Sequence, residues 1–110
     1  MAGGDFPVPD WPGKVAGNAV HDRIAACLVM DIQRAADWAH IVLSHVRDVQ
    51  EGGEDHWEMA MNAYMLSVGP QTTDISPVYE EAGEVTVSVQ TSELCVALQA
   101  WCQQITQQSD

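Results

Sequence analysis

Apolar residues recur along residues 31–50 with the spacing of one helix face. Each has another of the set three or four positions away, and they comprise Ile32, Ala36, Ala39, Val42, Leu43, Val46 and Val49. Gly52 and Gly53 follow, and glycine commonly ends a helix because it adopts left-handed backbone angles at little cost. The pattern therefore predicts a helix that begins at Asp31, whose carboxylate would cap the first turn, and ends near Gln50.

A short continuous apolar run, RIAACLVM, fills residues 23–30 just before this helix. Its length is typical of a buried strand, and we predict a strand there. Its alanines and its leucine also suit a helix, because both residue types have high helix propensity. The alternative is therefore one long helix over about residues 19–50.

Further along the chain, alternation of side chains predicts strands. Over residues 57–68 it places on one face Trp57, Met59, Met61, Ala63 and Met65, and on the other face Tyr64, Leu66 and Val68. We predict one strand here with a switch of burial near its end. The methionine-rich face is expected to belong to the core, with an adaptable binding surface as the alternative. Two more strands are predicted over residues 73–79 and 84–90, the second with inward-pointing Val85, Val87 and Val89.

The last predicted element is a helix that Thr91 or Ser92 would cap. Its apolar stripe comprises Leu94, Leu98, Trp101, Cys102 and Ile105. The order strand–helix–strands–helix predicts the α+β class, with a small antiparallel sheet of three to four strands and two helices packed on it.

The 110 residues have the length of one domain. Residues 1–20 are rich in proline and glycine, so we expect an extended N-terminal arm there. Phe6 and Trp11 are the side chains that would pin this arm to the domain. Residues 21–110 are expected to form the single α+β domain.

The charge of the chain bears on its function. Lys and Arg total 4 against 16 Asp and Glu, which gives a net charge of −12. This balance excludes a general nucleic-acid binder, because such a protein needs cations to displace the counterions of phosphates, and it argues against docking on an anionic membrane. No apolar run approaches the roughly 18 residues that span a bilayer, and no export signal is recognisable, so we expect a cytoplasmic protein.

The charges are also unevenly distributed. All the cations lie in the first 47 residues, and they are Lys14, Arg23, Arg34 and Arg47. The acids beyond them cluster, and our candidate partner-binding residues are Glu51, Glu54, Asp55, Glu58, Asp74, Glu80, Glu81 and Glu84. A surface of one sign repels itself and is tolerated more readily where it has a use. We interpret these acids as a docking face for a basic protein, with a merely solvated acidic surface as the alternative.

Residue types with catalytic or metal-binding chemistry occur in no demanding pattern. His40 and His45 are five positions apart, about 140° around a helix, so they do not share a face as a helical zinc pair would. Cys95 and Cys102 would lie about 10 Å apart on the last helix, too far for a disulfide. Together with Cys27 they are expected to be reduced core cysteines. We therefore assign no catalytic residue, metal or cofactor.

Residues 25–105 resemble a known family. The motif W-x4-N-x-Y-x-L is formed by Trp57, Asn62, Tyr64 and Leu66, and the closing motif L-x3-L-x2-W is formed by Leu94, Leu98 and Trp101. In this order, with an acidic turn between the helix and the first motif, the chain resembles the immunity proteins of contact-dependent growth inhibition systems and the related small acidic bacterial proteins of the YacL group.

The resemblance implies a role without catalysis. Such a protein binds and neutralises the C-terminal toxin domain of a large exported protein that a neighbouring cell delivers, and these toxins are often RNases or DNases that act in the cytoplasm. A basic nuclease site would suit the acidic balance of this chain. The alternative function is an acidic nucleic-acid mimic or chaperone-like inhibitor of another basic protein. A small metal-dependent enzyme that uses His and carboxylate side chains is a third hypothesis.

Overall fold

A computed structural model of the chain describes residues 8–79 and 85–107. The helices are α1 (Ala19–Cys27), α2 (Ala36–Glu51) and α3 (Thr91–Gln107), and the strands are β1 (Trp57–Ala60), β2 (Tyr64–Val68), β3 (Thr72–Pro77) and β4 (Val87–Gln90). The strands form one antiparallel sheet in the order β1-β2-β3-β4. The predicted α+β class is confirmed, with three helices instead of two in the described part of the chain.

The helices cover one face of the sheet. From the strands, the side chains buried against them are Tyr64, Leu66, Val68, Ile75 and Val89. From the helices, the same core receives Ile24, Val42, Val46, Leu98 and Trp101. Because side chains alternate along a strand, the intervening residues point away from the helices. The second face of the sheet is therefore free of helical cover, as far as the described residues extend.

The strand predicted over residues 23–30 is wrong, because this segment is helical. The side chain of Asn18 caps α1 by accepting from the backbone N–H groups of Val20 and His21, at 2.9 and 3.1 Å. A π-helical turn, Leu28–Ile32, continues directly from α1. Helical spacing then buries Ile24 together with residues three and four positions on, so the apolar run meets the core as a helix.

The alternative of one long helix is also wrong. Gln33 has a φ of 58°, so the chain leaves the helical path there, and α2 starts only at Ala36. Asp31 does not cap α2 as predicted. It lies buried within the π-helical turn and binds a different part of the chain.

The single strand predicted over residues 57–68 is a hairpin. β1 and β2 pair with Trp57 opposite Val68 and Met59 opposite Leu66, and a short loop over residues 61–63 joins them. Asp31 holds this loop, since its two carboxylate oxygens accept from Ala63 N at 2.7 Å and from Tyr64 N at 3.0 Å. The predicted switch of burial is thus a reversal of the chain.

The predictions of α2 and α3 as helices are confirmed with shifted ends, but α3 already starts at Thr91, so the predicted caps Thr91 and Ser92 lie inside the helix. α2 buries its predicted stripe from Ala39 to Val49 and ends at Glu51, followed by Gly52, whose φ is 93°. α3 buries every residue of its predicted stripe and follows β4 without a break. In β4, Val89 is buried and Val87 is half-buried, but Val85 precedes the strand and is exposed, so its predicted inward position is wrong.

Within the predicted N-terminal arm, the described residues contact the helices through Trp11 and through the backbone of Val8 and Asp10. Trp11 is buried and meets the ring of His21 edge-on, with 5.8 Å between the ring centroids. The side chain of Gln104 in α3 donates to Val8 O at 2.8 Å and accepts from Asp10 N at 3.0 Å. Trp11 therefore joins the core, whereas Phe6 lies outside the described residues.

Candidate functional site

The sheet surface that faces away from the helices carries two of the predicted acids. We call it the open face, and its strand residues are Glu58, Ala60, Met65, Ser67, Thr72, Asp74, Ser76, Ser88 and Gln90. Ser67 pairs with Glu58 on one side and with Asp74 on the other, and Asp74 pairs with Ser88. Directly paired residues share a face, so these four side chains form one row across all the strands.

Hydrogen bonds orient both carboxylates of this row. Glu58 Oε2 lies 3.1 Å from His56 Nε2 and accepts from Ser67 Oγ at 3.3 Å. Ser88 Oγ donates to Asp74 Oδ1 at 2.6 Å. These hydrogen bonds hold the two carboxylates in place. Both Glu58 and Asp74 are exposed, so a partner can still reach them.

The rest of the open face is mainly small and polar. Thr86 Oγ1, just before β4, donates to Ser76 Oγ at 3.0 Å. Met65 is the large apolar side chain of the face and is 36% exposed. Every strand residue lies beyond Arg47 in the sequence, so the strands contribute no Lys or Arg to this surface. The open face is therefore negatively charged and rich in hydroxyl groups, and Met65 is its one large apolar side chain.

The turn between α2 and β1 holds a second group of predicted acids. Gly53 N and Glu54 N both donate to Asp48 O, at 2.8 and 3.2 Å. Glu54 Oε2 lies 2.9 Å from Nδ1 of His45, whose ring stacks on Trp57 with 4.4 Å between the centroids. Glu54 is consequently fixed, whereas its neighbours Glu51 and Asp55 are exposed.

The structure therefore divides the predicted acidic site. It places Glu58 and Asp74, which are distant in sequence, in one row of the open face. Glu51 is the last residue of α2, and Glu54 and Asp55 lie in the turn that leads from it to β1. The other three predicted residues, Glu80, Glu81 and Glu84, lie outside the described residues.

The cations belong to other parts of the molecule. Arg23 is buried, and its Nη1 donates to Ile75 O and to Val85 O, each at 2.7 Å, while its guanidinium lies 5.0 Å from the centroid of the Tyr64 ring. Arg47 is exposed on α2, near Cys102 of α3. The helices also carry acids, for example Asp22 and Asp37. The strands therefore differ from the helices by carrying no Lys or Arg, not by carrying acids.

Sequence reasoning did not propose Ser67 or Ser88 as members of the face. It expected Met65 in the core, with a binding surface as the alternative, and the core expectation is wrong because Met65 is exposed on the open face. A signal for Met65 and Ser67 was present, because Tyr64, Leu66 and Val68 alternate with them. If the former set is buried, the latter points outward. Ser88 follows from the pairing of β3 with β4, which no local pattern shows.

A serine, a histidine and a glutamate meet at the open face, but not with the geometry of a catalytic triad. His56 Nε2 lies 3.1 Å from both Ser67 Oγ and Glu58 Oε2. In a triad, one imidazole nitrogen faces the serine and the other faces the carboxylate. Here one nitrogen faces both, so the carboxylate does not orient the ring for removal of the serine proton.

The cysteines are free thiols, and two of them lie in the core. Burial raises the pKa of the Cys27 thiol far above its usual range, and Asp31 acts in the same direction. Burial also raises the pKa of Cys102. Both thiols therefore stay protonated near neutral pH, and a protonated thiol is a poor nucleophile.

The histidines of α2 have different surroundings. His40 lines a groove of about 340 Å³ with Cys102, Gln103 and Thr106, whereas His45 stacks on Trp57. Among residues 8–79 and 85–107, no three His, Cys, Asp or Glu side chains converge as metal ligands would. In the same part of the chain, every helix is too short or too polar to cross a membrane.

Comparison with known proteins yields no relative. No protein-family model, no curated protein and no solved structure matches this chain. The resemblance to immunity proteins stays a prediction from the sequence.

Proposed function

We propose that this chain is a cytoplasmic immunity protein that binds a basic toxin domain and blocks its active site. The toxin would be the C-terminal nuclease domain of a contact-dependent growth inhibition protein. Support comes from the motif of Trp57, Asn62, Tyr64 and Leu66 and from the acidic balance of the chain. The observation that carries the proposal is the open face, on which Glu58 and Asp74 stand in one row and to which the strands add no cation.

The physical reason is charge complementarity. A nuclease holds phosphates with Lys and Arg, so a negative surface of matching size attracts the same site. Such complementarity accelerates encounter and favours the correct orientation of the partner. Because the carboxylates of Glu58 and Asp74 are already oriented by neighbouring groups, little side-chain freedom is lost when they meet a cation.

The direct test is neutralisation of a toxin. Immunity predicts that a large exported protein is encoded beside the gene for this chain, and absence of such a neighbour would favour mimicry. The C-terminal domain of that neighbour is produced in a bacterium with and without the chain, and survival is counted. We expect survival only with the chain, together with a one-to-one complex by calorimetry. Killing that continues at full expression of a folded chain, with no complex formed, would reject the proposal.

A second measurement separates immunity from nucleic-acid mimicry. A mimic would bind unrelated basic nucleases about as well as the toxin, because it offers only a phosphate-like charge pattern. An immunity protein is expected to prefer its own toxin by several orders of magnitude, since contacts outside the charged site add specificity. Equal affinities for the toxin and for an unrelated RNase would favour the mimic.

The acids at Glu80, Glu81 and Glu84 can be tested in the same assay. Reversal of all three charges is expected to weaken toxin binding and to make its loss with added salt less steep, because fewer ion pairs then form. Reversal of Asp22 and Asp37, on the helices, is the control. Unchanged affinity in the triple variant would remove these three residues from the interface.

A further inference from the structure

The open face specifies more than the charge of its partner, because the sheet sets the distance between its two acidic strand positions. Glu58 on β1 and Asp74 on β3 flank Ser67 on β2 in the same row. Neighbouring strands are about 4.8 Å apart, so the two acidic positions are about 9.5 Å apart across the strands. Hydrogen bonds draw the Glu58 carboxylate toward Ser67 on β2 and the Asp74 carboxylate toward Ser88 on β4, so both are displaced in the same direction across the sheet.

This distance distinguishes the kinds of backbone that could present two cations to the row. On an α-helix, residues i and i+7 lie on one face and about 10.5 Å apart along the axis. On a strand, residues of one face are about 6.8 Å apart at i+2 and about 13.5 Å apart at i+4. The spacing of the two acidic strand positions is therefore closest to that of residues i and i+7 on a helix that lies across the strands.

Met65 adds an apolar contact beside the charged row. It lies on β2 two residues from Ser67, about 6.8 Å to one side of the line from Glu58 to Asp74, and its own row includes the small side chain of Ala60. A residue at i+4 of the docked helix is on the same side as i and i+7, and about midway between them along the axis. An apolar residue there would cover the exposed part of Met65.

We infer that the open face binds a helix of the partner that carries Lys or Arg at i and i+7 and an apolar residue at i+4. This inference rests on the proposed function and names the element of the basic partner that is recognised. We infer a basic helix as the partner of the open face because of charge complementarity. The face carries two oriented anions, and the strands supply no cation.

Model peptides test the spacing without the toxin. One alanine-rich helical peptide carries arginine at i and i+7 and leucine at i+4. The control has the same composition with its arginines at i and i+5, about 140° apart around the helix. At low ionic strength, the first peptide is expected to bind at least about threefold more tightly and to shift the amide NMR signals of β1, β2 and β3. Equal binding of the two peptides would overturn the helical spacing.

Variants of the protein locate the binding to the open face. Glu58→Gln and Asp74→Asn are each expected to lower the affinity for the first peptide and for the toxin about two- to fivefold. The double variant is expected to lower both affinities about tenfold. Asp37→Asn removes the same charge from α2 and is expected to change neither affinity. Met65→Ala is expected to weaken binding, whereas Met30→Ala, at an exposed methionine of the π-helical turn, is not.

The outcomes separate this inference from the proposed function. A toxin that is neutralised and bound equally well by the wild type and by the Glu58→Gln/Asp74→Asn variant would overturn the open face as the docking site and leave immunity in place. A toxin that does not bind, while the peptides are still distinguished, would reject immunity and support the face as a site for basic helices. Circular dichroism confirms that each variant is folded.

Discussion

Asp31 shows how one buried carboxylate can organise a distant part of the chain. Its oxygens accept from Ala63 N at the end of the loop and from Tyr64 N at the start of β2. The ladder of β1 and β2 ends at the pair of Ala60 and Met65, so Asp31 supplies the acceptors for two amides just beyond it. Asp31 therefore fixes the start of β2, and with it the outward direction of Met65 and Ser67 on the open face.

Removal of this carboxylate is expected to destabilise the fold. Asp31→Ala removes one buried and one partly buried hydrogen bond to backbone amides, and we expect the free energy of unfolding in urea to fall by about 2–4 kcal/mol. Asp31→Asn keeps one acceptor oxygen and is expected to lose less. Asp37→Ala, at an exposed acid of α2, is the control and is expected to change stability by about 0.5 kcal/mol or less. Equal stability of the Asp31→Ala and Asp37→Ala proteins would contradict this role.

The same residue predicts a dependence on pH. Burial raises the pKa of the Asp31 carboxyl, although the backbone N–H groups of Ala63, Tyr64 and Asn62 act in the opposite direction. The folded protein then takes up a proton at higher pH than the unfolded chain does. The contribution of Asp31 to the free energy of unfolding therefore increases as the pH falls through its raised pKa toward the ordinary value of 3.8.

Asp31→Asn cannot take up this proton, so it isolates the effect. We expect the stability advantage of the wild type over Asp31→Asn to grow as the pH is lowered in that window, in urea unfolding at a series of pH values. A stability advantage that shrinks on acidification would show that the hydrogen bonds from backbone amides lower the pKa of Asp31 more than burial raises it.

At the scale of elements, local pattern predicted α2 and α3 because each is long and carries a regular apolar stripe. Residues 57–68 misled the prediction, since alternation continues into a short loop that contains no glycine. That loop depends on Asp31, about thirty positions earlier, and no local pattern contains this contact. The run at 23–30 is short and apolar throughout, so its periodicity cannot distinguish a strand from a helix.

The end of α2 is an element boundary that can be tested by one pair of substitutions. Gly52 has a left-handed φ of 93°, and its N–H donates to Val49 O at 3.3 Å. A side chain there is strained, so Gly52→Ala is expected to lower stability by about 1 kcal/mol, measured by urea unfolding. Gly53 is the control because its φ is not positive and an added Cβ would meet ordinary contacts, 3.5 Å or more from Asp48. Equal losses in the two variants would contradict the role of Gly52.

At the scale of the whole molecule, the sequence predicted that an acidic surface exists but not which acids share it. Glu58 and Asp74 stand in one row only because β1 and β3 both pair with β2 in a particular register. Register depends on the hairpin and on the core, so composition does not determine it. The absence of Lys and Arg beyond Arg47, in contrast, is visible directly in the sequence.

A net charge of −12 also has a cost in stability, and helix ends allow that cost to be measured. Glu51→Lys and Asp37→Lys change the net charge equally, but Glu51 is at the C-terminal end of α2 and Asp37 is in its first turn. A cation is favoured at the former end and an anion at the latter. In thermal unfolding at low salt, we therefore expect Glu51→Lys to be more stable than the wild type, by about 0.5–1 kcal/mol.

For Asp37→Lys, relief of repulsion opposes loss of the favourable interaction with the helix dipole, and we expect little net change. Equal stabilisation of both variants would mean that repulsion across the whole molecule outweighs the dipole. No change in either would mean that the excess charge is fully screened. If relief of repulsion raises stability at Glu51, the acids of the chain are kept at the expense of stability, and that is the behaviour expected of a surface retained for binding.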